Sequence, residues 1–202
     1  MKISLIFFLA YSSLVYGQKG ILEYDITNRG KSIGVAKLSA QTEGTNSSIK
    51  MDSDVEIRFI ASIRIKMHEE SIYQKDRLMY SEGKRTVNGT NKLNNQTKAS
   101  DNFYTIVNNG KATILRVPSI NYNLLLFYYK EPVNIEKVYS DTFQQFVKIE
   151  RIEPHHYKLQ LPNGDFNEYY FKNGICKRVI IHSTFYQIEM NLKADSTGTP
   201  TL

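Results

Sequence analysis

The chain is poor in cysteine and has no tryptophan: its 202 residues include Cys176 as the one cysteine. A single cysteine excludes an internal disulfide framework, so the fold must be stabilised by its core alone. Lys177 and Arg178 follow Cys176 and could lower the pKa of its thiol, but no histidine lies near it in sequence. We therefore interpret Cys176 as a small residue of a strand.

The chain also lacks linkers and repeats, and its five prolines lie far apart. These absences predict one domain over residues 18–193, a length that is sufficient for a sizeable core. Residues 194–202 have nothing to bury and are expected to form a frayed tail.

The longest apolar run lies at the N-terminus, where Met1 and Lys2 precede Ile3–Leu9. This layout is typical of a secretory signal peptide over residues 1–17, with cleavage between Gly17 and Gln18. The run is shorter than the roughly 20 apolar residues of a membrane-spanning helix, and no cysteine follows the cleavage point to carry a lipid. We expect a soluble periplasmic or extracellular protein without a transmembrane segment.

Sequence signals for catalysis, metals and nucleic acid are also absent. The net charge of +6 is spread along the chain and alternates with acids, which argues against nucleic-acid binding. His68, His155, His156 and His182 lack the spacing of a zinc site, and no nucleophile elbow or phosphate loop occurs. We predict no catalytic, metal or cofactor residues and regard an uncharacterised hydrolase as the weaker hypothesis.

Period-two alternation is the clearest positive signal. From Ile49 to Met67 the odd positions are mainly apolar and the even positions mainly charged. At about 3.3 Å per residue a single strand of this length would be too long for a domain. We expect it to bend or reverse near residues 60–62, giving two strands or one coiled strand with one face on the core.

The C-terminal region predicts a four-stranded meander, because Asn163-Gly164 and Asn173-Gly174 are strong hairpin signals. Its expected strands cover residues 157–161, 166–171, 175–181 and 184–192. Similar turns elsewhere give an all-β, mainly antiparallel protein of about ten to twelve strands, forming a curved sheet or half-open barrel. One short helix is expected after Pro118, although residues 124–129 could instead be a buried strand.

The segment Tyr157–Gly174 resembles a family of exported bacterial proteins known as domain of unknown function 6134. Its features are a Tyr-x-Leu-x-Leu-Pro-Asn-Gly turn, an Asn-x-Tyr-x-Tyr type of strand and a second Asn-Gly turn. Gly30, Gly34 and the stretch from Tyr129 to Ser140 add to the likeness. The resemblance implies an envelope protein with a curved antiparallel sheet, related to half-barrels that hold lipids or lipoproteins, and it implies no catalytic residue.

Aromatic residues suggest what such a sheet does, since 14 tyrosines and 10 phenylalanines are present. A sheet that curls without closing has a concave apolar face, which suits a lipid or another apolar ligand. The candidate lining residues are Tyr122, Phe127, Tyr128, Tyr139, Phe143 and Phe146. Two alternatives stay open: these side chains fill the core, or the protein is a structural or partner-binding envelope protein.

Overall fold

The computed structural model describes residues 18–58, 62–184, 186–194 and 196. These residues form fourteen strands, more than the ten to twelve predicted, because the N-terminal half contains more hairpins than its few Gly turns indicate. The first eight strands are β1 (Gln18–Asn28), β2 (Lys31–Glu43), β3 (Asn46–Arg58), β4 (Ser62–Gln74), β5 (Arg77–Val87), β6 (Thr90–Ala99), β7 (Tyr104–Asn108) and β8 (Lys111–Leu115). The other six are β9 (Lys137–Ser140), β10 (Gln145–Glu153), β11 (His156–Gln160), β12 (Phe166–Lys172), β13 (Ile175–His182) and β14 (Gln187–Leu192).

The strands form one antiparallel sheet in the order β8-β7-β6-β5-β4-β3-β2-β1-β14-β13-β12-β11-β10-β9. Apart from the pairing of β1 with β14, every pairing joins strands that are neighbours in sequence, and β8 and β9 are the two edges of the sheet. The predicted all-β antiparallel fold with a curved, unclosed sheet is confirmed. The four predicted C-terminal strands correspond to β11–β14, with the last strand beginning at Gln187 rather than at residue 184.

The alternating stretch from Ile49 to Met67 reverses, as one of the two expected forms predicts. It divides between β3 and β4, which pair antiparallel with Ile57 opposite Ile63. Residues 59–61 lie outside the described part of the chain. Ile49 and Met51 are buried while Lys50 and Asp52 are exposed, so the odd positions face the core and the even positions face water.

Left-handed backbone conformations turn the chain between strands. Asn173 and Gly174 have φ values of 54° and 77°, the geometry that an Asn-Gly hairpin provides at low energetic cost. The turn at Lys75 and Asp76 has the same character, with φ values of 49° and 61°, but contains no glycine. That turn was not predicted, because its residues carry no strong turn signal.

The predicted helix after Pro118 is absent from the structure. Residues 116–136 contain one 3-10 turn at Leu126–Tyr128, and all three of its residues are buried. The backbone N–H of Leu126, its first residue, donates to the side-chain oxygen of Asn123 at 3.1 Å. The segment is apolar on neighbouring faces because it packs inside the curved sheet, and this is why its sequence resembles an amphipathic helix.

Candidate functional site

The concave face of the sheet is covered by residues 120–130, which we call the interior segment. Its Phe127 ring lies 4.6 Å from the ring of Tyr169 on β12, and Tyr128 lies 5.5 Å from Tyr24 on β1. On the other side of the concavity, the backbone N–H of Ile120 donates to the hydroxyl of Tyr104 on β7. The interior segment therefore joins distant parts of one sheet through side chains.

The structure places four of the six predicted lining residues in the core. Tyr122, Phe127, Tyr128 and Tyr139 are at most 8% exposed. Phe143 is partly buried in the turn before β10, and Phe146 is 36% exposed while its ring packs 5.6 Å from that of Tyr139. The Phe127 and Tyr122 rings also pack edge to face, with their centroids 5.7 Å apart. In this state these aromatic rings pack against protein, so contact with a ligand stays a prediction.

A group of polar side chains is enclosed beneath the interior segment. We call it the interior polar cluster and define it as Glu69 and Ser71 of β4, Ser81 of β5, Asn123 and Asp141. Ser71, Ser81 and Asn123 are fully buried, Asp141 is 7% exposed, and Glu69 is partly buried.

Asn123 is the centre of this cluster. Its side-chain amide donates to Ser71 Oγ at 2.7 Å and to Asp141 Oδ2 at 2.8 Å. Its carbonyl oxygen accepts from the Tyr73 hydroxyl at 2.8 Å and from the backbone N–H of Leu126 at 3.1 Å. The Ser81 hydroxyl donates to the other oxygen of Asp141. The bonds to Ser71 and Tyr73 connect the interior segment to β4, and Asp141 connects Asn123 to Ser81 of β5.

The turn at residues 141–144 brings the two ends of the sheet order together. Asn95 of β6 donates to the backbone carbonyls of Asp141 and Thr142, and Gln144 donates to the carbonyls of Gln96 and Val107, both at 3.0 Å. Side chains thus hold the β9–β10 end against β5–β7 without a strand ladder between β8 and β9.

Both carboxyl groups of the cluster bind protons more tightly than usual. Burial raises the pKa of Asp141 to about 6, although hydrogen bonds from Ser81 and Asn123 oppose the shift. Burial, followed by the negative charge of Asp141, raises the pKa of Glu69 to about 8, and the charge of Arg85 opposes this. Within the described part of the chain, the Glu69 carboxyl makes no hydrogen bond or ion pair.

These features give the cluster an anchoring role. Raised pKa values can mark catalytic acids and bases, but one oxygen of Asp141 is bonded to Asn123 of the interior segment and the other to Ser81 of β5. Two buried polar atoms beside the cluster have no hydrogen-bond partner among the described residues, the Asn95 Oδ1 oxygen and the Arg85 Nε nitrogen. The cluster is therefore polar and ionisable, and its surroundings are incompletely hydrogen-bonded.

A cleft opens beside the interior segment at one end of the curved sheet, and we call it the mouth. It has a volume of about 260 Å³, and Ile49, Tyr73 and Leu126 contribute apolar atoms to its lining. Lys75 and Lys130 lie at its edge with exposed side chains, together with Asp76. The mouth thus combines apolar side chains with two cationic groups and one carboxylate.

The interior polar cluster was missed from the sequence. One signal was present, because the odd-numbered positions that face the core from Ile49 onwards continue to Glu69 and Ser71. Polar residues at these inward positions indicated a buried polar site. Asn123 and Asp141 carry no such signal, since they lie outside regular strands.

Of the two residues at the predicted cleavage point, the structure describes Gln18. Gly17 lies outside the described residues, together with the rest of the signal peptide, and Gln18 is the first residue of β1. Of the predicted tail, Ala194 and Ser196 are described, and Ser196 Oγ accepts from the backbone N–H of Glu23 at 3.1 Å. The part of the chain that the structure describes contains no helix of the length and hydrophobicity that a membrane span requires.

Comparison with known proteins supports the fold. No curated protein matches the sequence. Among solved structures, the chain is similar to a β-barrel-like protein of domain of unknown function DUF1849 from Brucella abortus. The likeness has a TM-score of 0.51 and 8% sequence identity, and it covers 87% of this chain and 96% of that chain. At this identity the likeness shows the curved sheet alone.

The sequence itself matches a family model over residues 24–193, from β1 to the residue after β14. This range contains the interior segment and every residue of the interior polar cluster. The chain belongs to the family described as domain of unknown function DUF6134.

Proposed function

We propose that this protein is exported and binds one apolar or amphipathic, lipid-like ligand inside its curved sheet, where the interior segment occupies the ligand's place in the free state. The observation that carries the proposal is the way in which the concave face is covered. A short irregular segment, with one 3-10 turn, buries Ile120, Leu125 and Phe127 against the sheet.

The interior segment is attached to the sheet in a way that would allow a ligand to displace it. It is held by side-chain hydrogen bonds around Asn123, by the parallel bridge between Asn123 and Tyr139, and by the Leu78 N–H, which donates to the Ile120 carbonyl at 2.8 Å. A segment with few backbone bonds to a sheet opens at a lower free energy than a strand within the ladder. Removal of the segment would expose the apolar inner face, including Tyr169 and Phe171, to a ligand.

The mouth indicates the ligand's chemistry. Its 260 Å³ is smaller than the roughly 300–1,000 Å³ of typical ligand pockets, so a lipid-sized molecule requires movement of Leu126 and its neighbours. Lys75 and Lys130 outnumber Asp76 at the edge, and this net positive charge favours an acidic head group. A long-chain fatty acid combines these two properties and is a suitable probe.

Export is supported by the apolar N-terminal run, and the first strand begins at Gln18, so cleavage after Gly17 would leave the sheet complete. N-terminal sequencing of protein recovered from the envelope of its own host tests this part. Gln18 is the expected first residue. A retained Met1, or recovery with detergent only, would contradict export.

Ligand binding is tested first on protein purified from its own host, by native mass spectrometry followed by solvent extraction. A bound lipid-like mass is expected. Binding of laurate to ligand-free protein then tests the mouth. The charge reversals Lys75→Glu and Lys130→Glu together should weaken laurate binding about tenfold, because each exposed ion pair contributes ~0.2–1 kcal/mol.

The matched control is Lys111→Glu on β8, an exposed lysine away from the mouth, which should leave laurate binding unchanged. Dodecanol lacks the acid group and should bind the wild type and the double variant equally. Protein that carries no lipid and binds neither compound would leave the structural or partner-binding alternative in place of this proposal.

A further inference from the structure

Three side chains with metal-binding atoms converge on the outer face of the sheet, opposite the interior segment. His68 and Glu70 lie two residues apart on β4, so their side chains share a face. Glu82 lies directly opposite Glu70 on β5. One nitrogen or oxygen atom from each residue lies within 4.8 Å of the others, and all three residues are partly buried.

The His68 ring is oriented by a carboxylate. Its Nδ1 atom lies 2.7 Å from Asp52 Oδ1, and since a carboxylate can only accept, Nδ1 carries the hydrogen. In the neutral ring this leaves a lone pair on Nε2, which lies 3.7 Å from Glu82 Oε1. This distance is too long for a hydrogen bond. A ring with this tautomer thus presents its Nε2 lone pair to Glu82 Oε1, the oxygen that the Lys84 ammonium group also contacts at 2.8 Å.

Glu70 and Glu82 lie directly opposite each other, and like charges in such a pair destabilise a sheet unless cations neutralise them. Lys50 lies 3.0 Å from Glu70, and Lys84 lies 2.8 Å from Glu82. The two lysine side chains are 48% and 50% exposed, so both ammonium groups can move into water. The Tyr80 hydroxyl donates to Glu82 Oε2 at 2.8 Å and holds Oε1 towards His68.

We propose that His68 Nε2, Glu70 and Glu82 bind one divalent transition-metal ion of the Zn²⁺ type, with water in the remaining positions. One imidazole and two carboxylates suit such an ion better than Mg²⁺ or Ca²⁺, which prefer oxygen ligands alone. Asp52 is then the carboxylate that orients the histidine ligand, an arrangement common in metal sites.

The ion can reach this position from solvent. A shallow cleft of about 530 Å³ lies beside it, with Asp52, His68 and Lys84 among its lining residues. A bound ion would link β4 to β5 and replace Lys50 and Lys84 in neutralising the opposed carboxylates. This site is on the outer face, so it is independent of the ligand proposed for the interior.

Isothermal titration of untagged mature protein with Zn²⁺ near neutral pH tests the proposal. One ion per chain is expected. His68→Ala and Glu82→Gln should each weaken binding at least about tenfold, as loss of a ligand or its support does in other metal sites. His155→Ala is the matched control: His155 lies in the turn between β10 and β11, its Nδ1 is 3.0 Å from Glu131, and its loss should change nothing.

Two further variants separate metal binding from a structural role of these residues. Asp52→Asn should weaken Zn²⁺ binding, because the uncharged amide oxygen is a weaker acceptor for the Nδ1–H than the carboxylate and makes the ring a poorer metal ligand. Lys84→Gln should strengthen it severalfold, because its ammonium group competes with the ion for Glu82. Far-ultraviolet circular dichroism checks that each variant is folded.

Three outcomes would overturn the proposal. They are no binding at millimolar Zn²⁺, unchanged binding in folded His68→Ala, and binding by Lys84→Gln that is no tighter than that of the wild type. The second outcome combined with loss of binding in His182→Ala would place the ion at another group. That group is His156, Glu168 and His182, in which Glu168 contacts both histidines.

Discussion

The side-chain amide of Asn123 donates to the Asp141 carboxylate at 2.8 Å, and this contact joins the interior segment to the turn that brings the ends of the sheet together. Both residues are buried and lie outside the strands. Asn123 also bonds Ser71 and accepts from Tyr73, so one side chain connects three parts of the fold. Removal of this side chain should loosen the interior before it affects the strand ladder.

Asn123→Ala is expected to lower the free energy of unfolding by about 3 kcal/mol, since several buried hydrogen bonds worth ~0.5–1.5 kcal/mol each are lost. Asn121→Ala is the control: that exposed side chain makes one bond, to the Asp76 carbonyl at 3.0 Å. Its loss should change stability by less than about 0.5 kcal/mol. Urea unfolding measures both, and equal effects would show that the cluster is no anchor.

Stability should fall as pH rises from about 5 to about 8. The pKa of Asp141 is raised from 3.8 to about 6 and that of Glu69 from 4.5 to about 8. The folded state therefore holds protons that the unfolded state has released, and it loses this advantage as pH rises through the folded values. Carboxyls with lowered pKa, such as Asp54 and Glu56, are mostly ionised throughout this window in both states.

Glu69→Gln isolates this effect, because the amide has nearly the same shape and does not ionise. The variant should be more stable than the wild type at about pH 8, by ~2 kcal/mol, and should show a smaller loss between the two pH values. Urea unfolding at both pH values gives the comparison. An unchanged pH slope in the variant would mean that Glu69 is solvated like an ordinary glutamate.

Two inward glycines differ in the space above them. A Cβ at Gly34 would overlap the backbone carbonyl oxygen of Asp54 and lie 2.8 Å from Val55 Cα, whereas a Cβ at Gly83 would meet Leu93 Cδ2 at 3.4 Å. Gly34→Ala must separate β2 from β3 and should cost at least about 3 kcal/mol. Gly83→Ala should cost less than about 1 kcal/mol. Similar melting temperatures for the two variants would contradict this close approach of strands.

Cys176 should be unreactive in the folded protein. It is fully buried on β13, and burial raises the pKa of its thiol to about 12. Iodoacetamide at mildly alkaline pH should label the urea-unfolded chain and leave the native chain unlabelled. Rapid labelling of native protein would show that the thiol is accessible, contrary to its position in the core.

The sheet was predictable because its information is local. Alternation from Ile49 to Met67 and the Asn173-Gly174 turn each define a strand or hairpin within a few residues. The hairpin at Lys75-Asp76 was missed since neither residue demands a left-handed conformation. The polar cluster was missed for another reason, because Asn123 and Asp141 meet Ser71 and Ser81 only after the sheet has curled.

The central claim is that a lipid-like ligand displaces the interior segment, and hydrogen exchange followed by mass spectrometry with and without laurate tests it most directly. The amide of Leu124 bonds the Tyr139 carbonyl, and the Tyr139 amide bonds the Tyr122 carbonyl, both at 3.0 Å. Laurate should accelerate exchange at these two amides and leave the β1–β2 ladder unchanged. Bound laurate with equal or slower exchange at Leu124 and Tyr139 would show that the segment stays in place, and would contradict the account.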